Sequence, residues 1–290
     1  MPDWNLVASA ISNATRRPFK LLNVSSILGG DINEAFHLTA SDGTHYFIKL
    51  NSANHQPLFQ AEISGLESLA ASRSIRTPRP ITHGIAGQHS FLVLEYLELK
   101  SHENAQALGT QLAALHRHTA KQFGYAQDNF IGSTVQPNGW DNNWLTFWRE
   151  QRLGFQLQLA KQNGYGGKLQ QLGAQLQDAL AEFFSDYTPQ ASLLHGDLWS
   201  GNYAYLADGT PLIFDPACYY GDRESDLAMT ELFGGFPASF YTAYQTAYPL
   251  APGYKTRREL YQLYHILNHA NLFGAGYAKQ AEQIMLKLLA

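Results

Sequence analysis

The chain is poor in cysteine, in methionine and in charge. It has one Cys and three Met in 290 residues, and only 15% of its residues are charged. A single Cys excludes an internal disulfide framework and any Cys-cluster zinc site. Low charge with 45% hydrophobic residues excludes a disordered chain, which needs the opposite balance. No apolar run approaches the ~18 residues of a membrane-spanning helix. Met1-Pro2-Asp3 opens without basic residues and without a following apolar stretch, so no signal peptide is expected and the expected location is cytoplasmic. Lys and Arg number 20 against 24 Asp and Glu, for a net charge of -4. That balance leaves no basic footprint, so neither nucleic acid nor a membrane is expected as partner. No internal repeat or low-complexity tract is present, and a monomer is expected. Aromatics are plentiful, with 16 Tyr, 16 Phe and 5 Trp, a supply that suits a filled core and an aromatic-lined pocket.

The hydrophobic period changes once along the chain. Trp4, Val7, Ile11 and Ala14 have helical spacing over residues 3–15, with Asp3 as candidate N-cap. Leu21–Val24, Ala35–Leu38 and Tyr46–Leu50 read as strands, separated by the turn formers Gly29-Gly30-Asp31 and Ser41-Asp42-Gly43. Residues 56–72 read as a helix, with Leu58, Ala61, Leu66 and Leu69 on one side. Ile81–Gly84 and Phe91–Leu94 read as two more strands. After Glu95-Tyr96-Leu97 the period becomes 3.6, with Leu108, Leu112 and Leu115 on one helix, Trp144, Phe147 and Trp148 on another, and Leu169, Leu172 and Leu176 on a third. Leu260, Leu263 and Leu267, then Ile284 and Leu288, mark two more. Ser192–His195 and Pro211–Asp215 are short strand-like pieces among these helices. The expected architecture is α+β and two-lobed: a small antiparallel β-sheet lobe over 1–95, a hinge near 95–98 and a mainly helical lobe over 96–290, with a ligand cleft between them.

The chemistry concentrates in His195-Gly196-Asp197-Leu198-Trp199-Ser200-Gly201-Asn202, followed thirteen residues later by Asp215 at the end of an apolar strand. H-x-D-x-x-x-x-N followed by a strand-end Asp is the catalytic-loop and metal-carboxylate arrangement of kinases. Asp197 is placed to accept a hydroxyl proton. Asn202 and Asp215 offer hard oxygens to Mg2+ beside a nucleotide's phosphates. An ordinary polar turn is the competing reading of the octapeptide alone; Asp215 in the expected place weighs against it.

Lys49 ends the third strand, where kinases place a Lys that reaches the phosphates of ATP and pairs with a helix Glu. Glu62 is the candidate partner and Glu67 the rival, on another face of the same helix. Gly29, Gly30 and Asn33 lie where backbone N–H groups can approach phosphates, although a plain hairpin turn fits equally. No Lys-Ser/Thr follows, which argues against a P-loop NTPase. Glu95, Tyr96 and Leu97 offer backbone groups to the adenine edge if they form the connector. Trp199 is close enough to Asp197 to wall an acceptor site, with core burial as the alternative. Asp222 and Glu224 are candidate acidic contacts for a cationic substrate. Asp226 opens an apolar segment, which suits a helix N-cap and is compatible with a buried brace for the catalytic loop, as is His195. His116 and His118 follow Leu115 at a helix end, where His complements the helix dipole. Cys218 has no visible base and reads as structural.

Gly29–Ala35, Leu108–His116, Asp128–Gly132, His195–Asn202 and Phe214–Met229 together resemble the fructosamine kinase (ketosamine-3-kinase) family over nearly the whole chain. The catalytic loop alone is shared with aminoglycoside phosphotransferases and choline kinases; Trp199-Ser200 and Tyr219-Tyr220-Gly221 with Arg223-Glu224 are the more specific parts. The resemblance implies a protein-kinase-like fold and ATP-dependent phosphorylation of the sugar 3-hydroxyl of ketoamines on amines or proteins. The product 3-phosphate is unstable and sheds the sugar, so glycation is reversed. Many relatives carry Cys where this chain has Asp31, which implies that redox control built on that Cys is absent here. Relatives usually have His where this chain has Asp222. A phosphotransferase for aminoglycoside- or choline-like alcohols would share every catalytic residue, and a non-catalytic nucleotide-binding module is the rival of a different class.

Overall fold

The computed structural model describes residues 1–27, 32–100 and 104–290. The Gly29-Gly30-Asp31 turn therefore lies outside the described residues. Helix α1 (Trp4–Thr15) is capped by Asp3, whose carboxylate accepts from the N–H of Asn5 at 3.0 Å. Strands β1 (Leu21–Ile27), β2 (Glu34–Ala40) and β3 (His45–Ser52) follow, then helix α2 (Gln56–Ala71), then β4 (Pro80–Ala86) and β5 (His89–Glu95). The five strands form one antiparallel sheet in the order β1-β2-β3-β5-β4. This is the sheet with one inserted helix that the residue alternation predicts.

Alternation also sorts the two faces of the sheet. Phe36, Leu38, Ile48, Leu50, Phe91 and Val93 pack with Val7 and Ile11 of α1. Leu92 and Leu94, with Phe47 beside them, pack with Phe59 and Leu66 of α2. Lys49 lies between Ile48 and Leu50 in sequence, so it shares the α2 face, in register with Ala35 and Leu92. One residue's shift in register would send the cation into the α1 core instead.

Beyond Glu95 the chain is mainly helical. In order come β6 (Leu99–Lys100), α3 (Ala105–Leu115), the hairpin β7 (Asn129–Ile131) and β8 (Thr134–Gln136), α4 (Trp144–Phe147), α5 (Phe155–Gln162) and α6 (Lys168–Ala179). Then follow β9 (Ser192–Leu194), β10 (Tyr203–Leu206), β11 (Pro211–Ile213), β12 (Tyr219–Gly221), α7 (Glu224–Thr230), α8 (Ala238–Ala247), α9 (Tyr254–Phe273) and α10 (Ala275–Leu288). A single core containing Leu112, Trp148, Leu176, Phe240 and Leu263 holds these helices together. Gly109 lets α3 and α8 approach closely: a Cβ there would lie 2.3 Å from the carbonyl oxygen of Phe240. Leu69 and Ile75, from the end of α2 and the segment after it, join the same core and tie the two lobes together.

Two expectations change. The aromatic helix at 144–148 continues through a π-helical stretch, Trp148–Gly154, before α5. Helix α7 starts at Glu224, so Asp226 sits inside its first turn rather than capping it. Among the described residues no helix is long and apolar enough to cross a membrane.

Candidate active site

The loop after β9 is shaped from below. Gly196 has φ +84, and a Cβ there would fall 2.0 Å from the carbonyl oxygen of Ala217, so only glycine fits. Asp226 reaches up from α7: Oδ2 accepts from the N–H of His195 at 2.7 Å and Oδ1 from the N–H of Gly196 at 2.8 Å. Burial works against its charge, yet His116, His195 and the Gly196 N–H hold its pKa below the ordinary carboxylate value. His116, fully buried at the end of α3, contacts Asp226 Oδ2 through Nε2 at 3.1 Å and the Tyr244 hydroxyl through Nδ1 at 2.8 Å. His118 instead contacts Ser74 at 3.0 Å.

His195 is itself buried, and its contacts define its tautomer. Nδ1 accepts from the N–H of Asp197 at 3.2 Å, so Nε2 carries the proton and donates to the carbonyl of Phe214 at 2.9 Å. Burial keeps the ring neutral by lowering its pKa. Two backbone bonds add to this link between the loop and the strand-end segment: Phe214 N–H to Asn202 O at 3.0 Å and Ala217 N–H to His195 O at 2.9 Å. The segment turns at Asp215, one of three non-glycine residues with positive φ among the described residues, at +57.

The three groups at the cleft follow from this frame. Asn202 donates its amide N–H to the backbone oxygen of Asp197 at 2.8 Å, which leaves its amide oxygen free for a cation. Asp215 is exposed, with its carboxylate against Lys49 Nζ. Lys49 is 6% exposed and also pairs with Glu62 at 2.7 Å. Burial opposes the ammonium charge, but Asp215 and Glu62 outweigh it and hold Lys49 protonated. Glu67 faces solvent. Asp197 lies between these groups, and its carboxyl is pushed up to about 7 by burial and then by the charges of Asp215 and Asp226. One carboxylate and one amide oxygen suit Mg2+, which takes few protein ligands and completes its shell with phosphate and water oxygens.

A family profile for fructosamine kinase matches residues 3–290. The chain belongs to the fructosamine kinase family. A probable ketoamine kinase of Synechocystis sp. is 49% identical over 99% of this chain and 97% of its own length. The chloroplastic protein-ribulosamine 3-kinase of Arabidopsis thaliana is 41% identical over 92% of this chain and 82% of its own. A crystal structure of a candidate fructosamine-3-kinase from Haemophilus somnus superposes with a TM-score of 0.90 at 30% identity, covering 100% of this chain and 98% of that one. A choline kinase from Streptococcus pneumoniae shares the fold, with a TM-score of 0.60 at 16% identity over 99% of this chain and 98% of that one. The fructosamine kinase chain therefore has the two-lobed α+β kinase-like fold that its catalytic-loop spacing anticipates.

Several candidate contacts land elsewhere in this fructosamine kinase. Asp222 and Glu224 are both 0% exposed, so they do not face a substrate amine. Asp222 accepts from the hydroxyls of Tyr187 at 2.9 Å and Tyr261 at 2.5 Å. Glu224 forms a two-point ion pair with Arg257 at 2.7 and 3.0 Å. Their density in the sequence reflects interior pairing, because a buried charge persists only with partners. Glu95 directs its side chain to Arg76 at 2.6 Å, and its N–H already donates to Arg79 O at 3.0 Å, which leaves its carbonyl for a ligand. Tyr96 stacks on His37 at 4.0 Å between ring centroids. Asn33 accepts from Asn51 at 2.8 Å. Trp199 is 38% exposed rather than in the core, edge-on to Phe233, which in turn packs on His269. Cys218 is buried and its thiol is pushed well up by burial, as a structural cysteine requires. Sequence reasoning missed His265 and His269, four residues apart on α9; two His at that spacing on the helix that carries Leu260, Leu263 and Leu267 are the signal that marks them.

The raised pKa of Asp197 makes a stability prediction. Its ordinary value is 3.8 and its folded value is about 7, so the folded state is penalised increasingly as the pH rises between them. Asp197→Asn removes that penalty. The variant's Tm should exceed wild type by several degrees at pH 8, at roughly 2–4 °C per kcal/mol. The gain should shrink as the pH falls from 7 toward 4. Scanning calorimetry across this range would contradict the account if the two proteins kept a constant difference.

Proposed function

We propose that this fructosamine kinase transfers the γ-phosphoryl group of ATP to the sugar 3-hydroxyl of ketoamines, the ribulosamine and fructosamine adducts on free amines or proteins. The observation that carries the reading is the convergence of Asp197, Asn202 and Asp215 beside the Lys49–Glu62 pair. The family and the named ketoamine and ribulosamine kinases among its relatives support the substrate class.

Lys49 takes phosphate oxygens of ATP, and Glu62 keeps the ammonium oriented as Asp215 turns toward a cation. Asn33 is placed on the phosphate side, and Gly29 and Gly30 are assigned to the phosphates by the sequence alone. The backbone of Glu95, Tyr96 and Leu97 receives the adenine edge; at Glu95 the N–H is already taken by Arg79, so its carbonyl is the group that serves. Asn202 and Asp215 hold Mg2+, which when bound neutralises charge on the phosphates. The sugar oxygen forms its bond to the γ-phosphorus as the bond to the bridging oxygen breaks and that electron pair leaves on ADP. Asp197 receives the hydroxyl proton late in the transfer. Positioning and charge neutralisation supply most of the acceleration. Loss of the 3-phosphate from the product then releases the amine.

The proposed acceptor site lies against an aromatic wall of exposed Trp199 with half-buried Phe233 and His269 behind it. Asp222 and Glu224 being interior, the electrostatic partner for a ketoamine's ammonium is the face of Trp199, through a cation–π contact.

The test is a side-by-side assay on ribulosyl-lysine, fructosyl-lysine, an aminoglycoside and choline. Turnover of the two ketoamines above the others is expected; preference for an aminoglycoside or choline would assign the other phosphotransferase reading, and ATP binding without any turnover the non-catalytic one. On the preferred ketoamine, Asp197→Ala should lower kcat by ~10²–10⁴, the scale of a lost general base. Trp199→Ala should raise the ketoamine KM about fivefold or more, as expected for an exposed cation–π contact of ~1 kcal/mol, while the KM for ATP holds. An unchanged ketoamine KM in that folded variant would remove Trp199 from the acceptor site.

A further inference from the structure

Helix α9 presents His265 to the catalytic loop. The ring is buried, at 4% exposure, and Nδ1 has no hydrogen-bond partner within the protein. That nitrogen lies 4.0 Å from Oδ1 of Asp197. One turn later on the same helix, His269 bonds the carbonyl oxygen of His265 through Nδ1 at 2.8 Å and packs on Phe233. A single helical turn thus aims one imidazole at the proposed base and sets the other in the aromatic wall of the acceptor site.

A buried polar atom without a partner is costly, and this one faces the proposed base. The protonation state narrows that use. Burial first, then the neighbouring His269 and Arg152 charges, hold the His265 pKa down to about 3, while Asp226 pulls the other way. The ring is neutral and has one N–H to give. Asp197 has a matching need. Its Oδ2 lies 3.4 Å from the Asn202 amide nitrogen, and its Oδ1 faces His265. Neither contact is short, and the carboxylate torsion of Asp is intrinsically broad and two-fold. A base accepts a proton efficiently only when its lone pair is held in line with the hydroxyl, and such contacts tighten in the loaded enzyme.

We propose that His265 is a positioning residue for phosphoryl transfer, donating Nδ1–H to Oδ1 of Asp197 in the loaded complex and so fixing the carboxylate plane that receives the substrate proton. This rests on the reading of Asp197 as base. The tautomer is opposite to that of His195, whose Nδ1 accepts.

Two measurements test it. The first compares wild type, His265→Leu and His265→Asn on the preferred ketoamine. Asn carries an N–H on the atom bonded to Cγ, as His does at Nδ1. The Leu variant should lose about tenfold to a hundredfold in kcat, the scale of a misplaced reacting group. Its KM for ATP should stay within about twofold, and Asn should recover most of the loss. Wild-type kcat in the Leu variant, or an equal fall in both variants, overturns the proposal. The second needs no variant: 15N imidazole NMR of the protein with a non-hydrolysable ATP analogue, Mg2+ and ketoamine should show His265 protonated on Nδ1, and protonation on Nε2 overturns it. If wild type phosphorylates no ketoamine, the functional reading fails by itself, while the tautomer still answers for the geometry.

Discussion

One buried cation joins the two halves of this protein's chemistry. Lys49 comes from the sheet and meets Glu62 from α2 on its own side and Asp215 from the helical lobe on the other. A buried ammonium is stable only while it is compensated, and here two carboxylates compensate it. Glu62 is itself largely shielded, whereas the Asp215 side chain is 44% exposed. The inner carboxylate is therefore the shielded partner of the ammonium and the outer one the solvent-accessible partner. In the proposed ATP complex, phosphate oxygens would take the place of Asp215 at the ammonium and leave that carboxylate to a cation.

The catalytic loop is held by the opposite logic, a buried anion with several donors. Asp226 accepts from two successive backbone N–H groups of the loop and from His116, so the turn at Gly196 is fixed without any contact from the substrate side. His195 then passes this order to Asp197 and Phe214. Preorganisation of this kind costs stability at the reacting end, where Asp197 is desolvated near two like charges, and recovers it underneath. The polar stretch after Asp215 thus divides by role: Asp226 supports the loop, while Asp222, Arg223 and Glu224 tie neighbouring segments together.

What could be read in the sequence follows from the range of each interaction. Strand alternation and helical period gave the sheet, its inserted helix and most helices of the second lobe, because burial pattern is a local property. Helix phase distinguished Glu62 from Glu67, since a thirteen-residue separation across a strand end and a helix leaves few geometries. The proximity of Asp197, Asn202 and Asp215 was legible because one loop and one adjacent strand carry all three. Asp222 and Glu224 were misplaced for the converse reason. Their partners Tyr261 and Arg257 lie 39 and 33 residues away on α9, and nothing local to an acidic run shows whether its partner is a substrate or an arginine. Short α8 escaped notice among aromatics and threonines with weak periodicity, and its close approach to Gly109 is again a long-range fact.

The claim that Lys49 is the point where nucleotide phosphates enter is tested most directly by calorimetric titration of ATP, with and without Mg2+, into wild type and Lys49→Met. Mg2+ should strengthen binding to wild type, and the folded variant should bind MgATP at least about tenfold more weakly, a loss of ~1.4 kcal/mol. Equal affinity in the two proteins would contradict it.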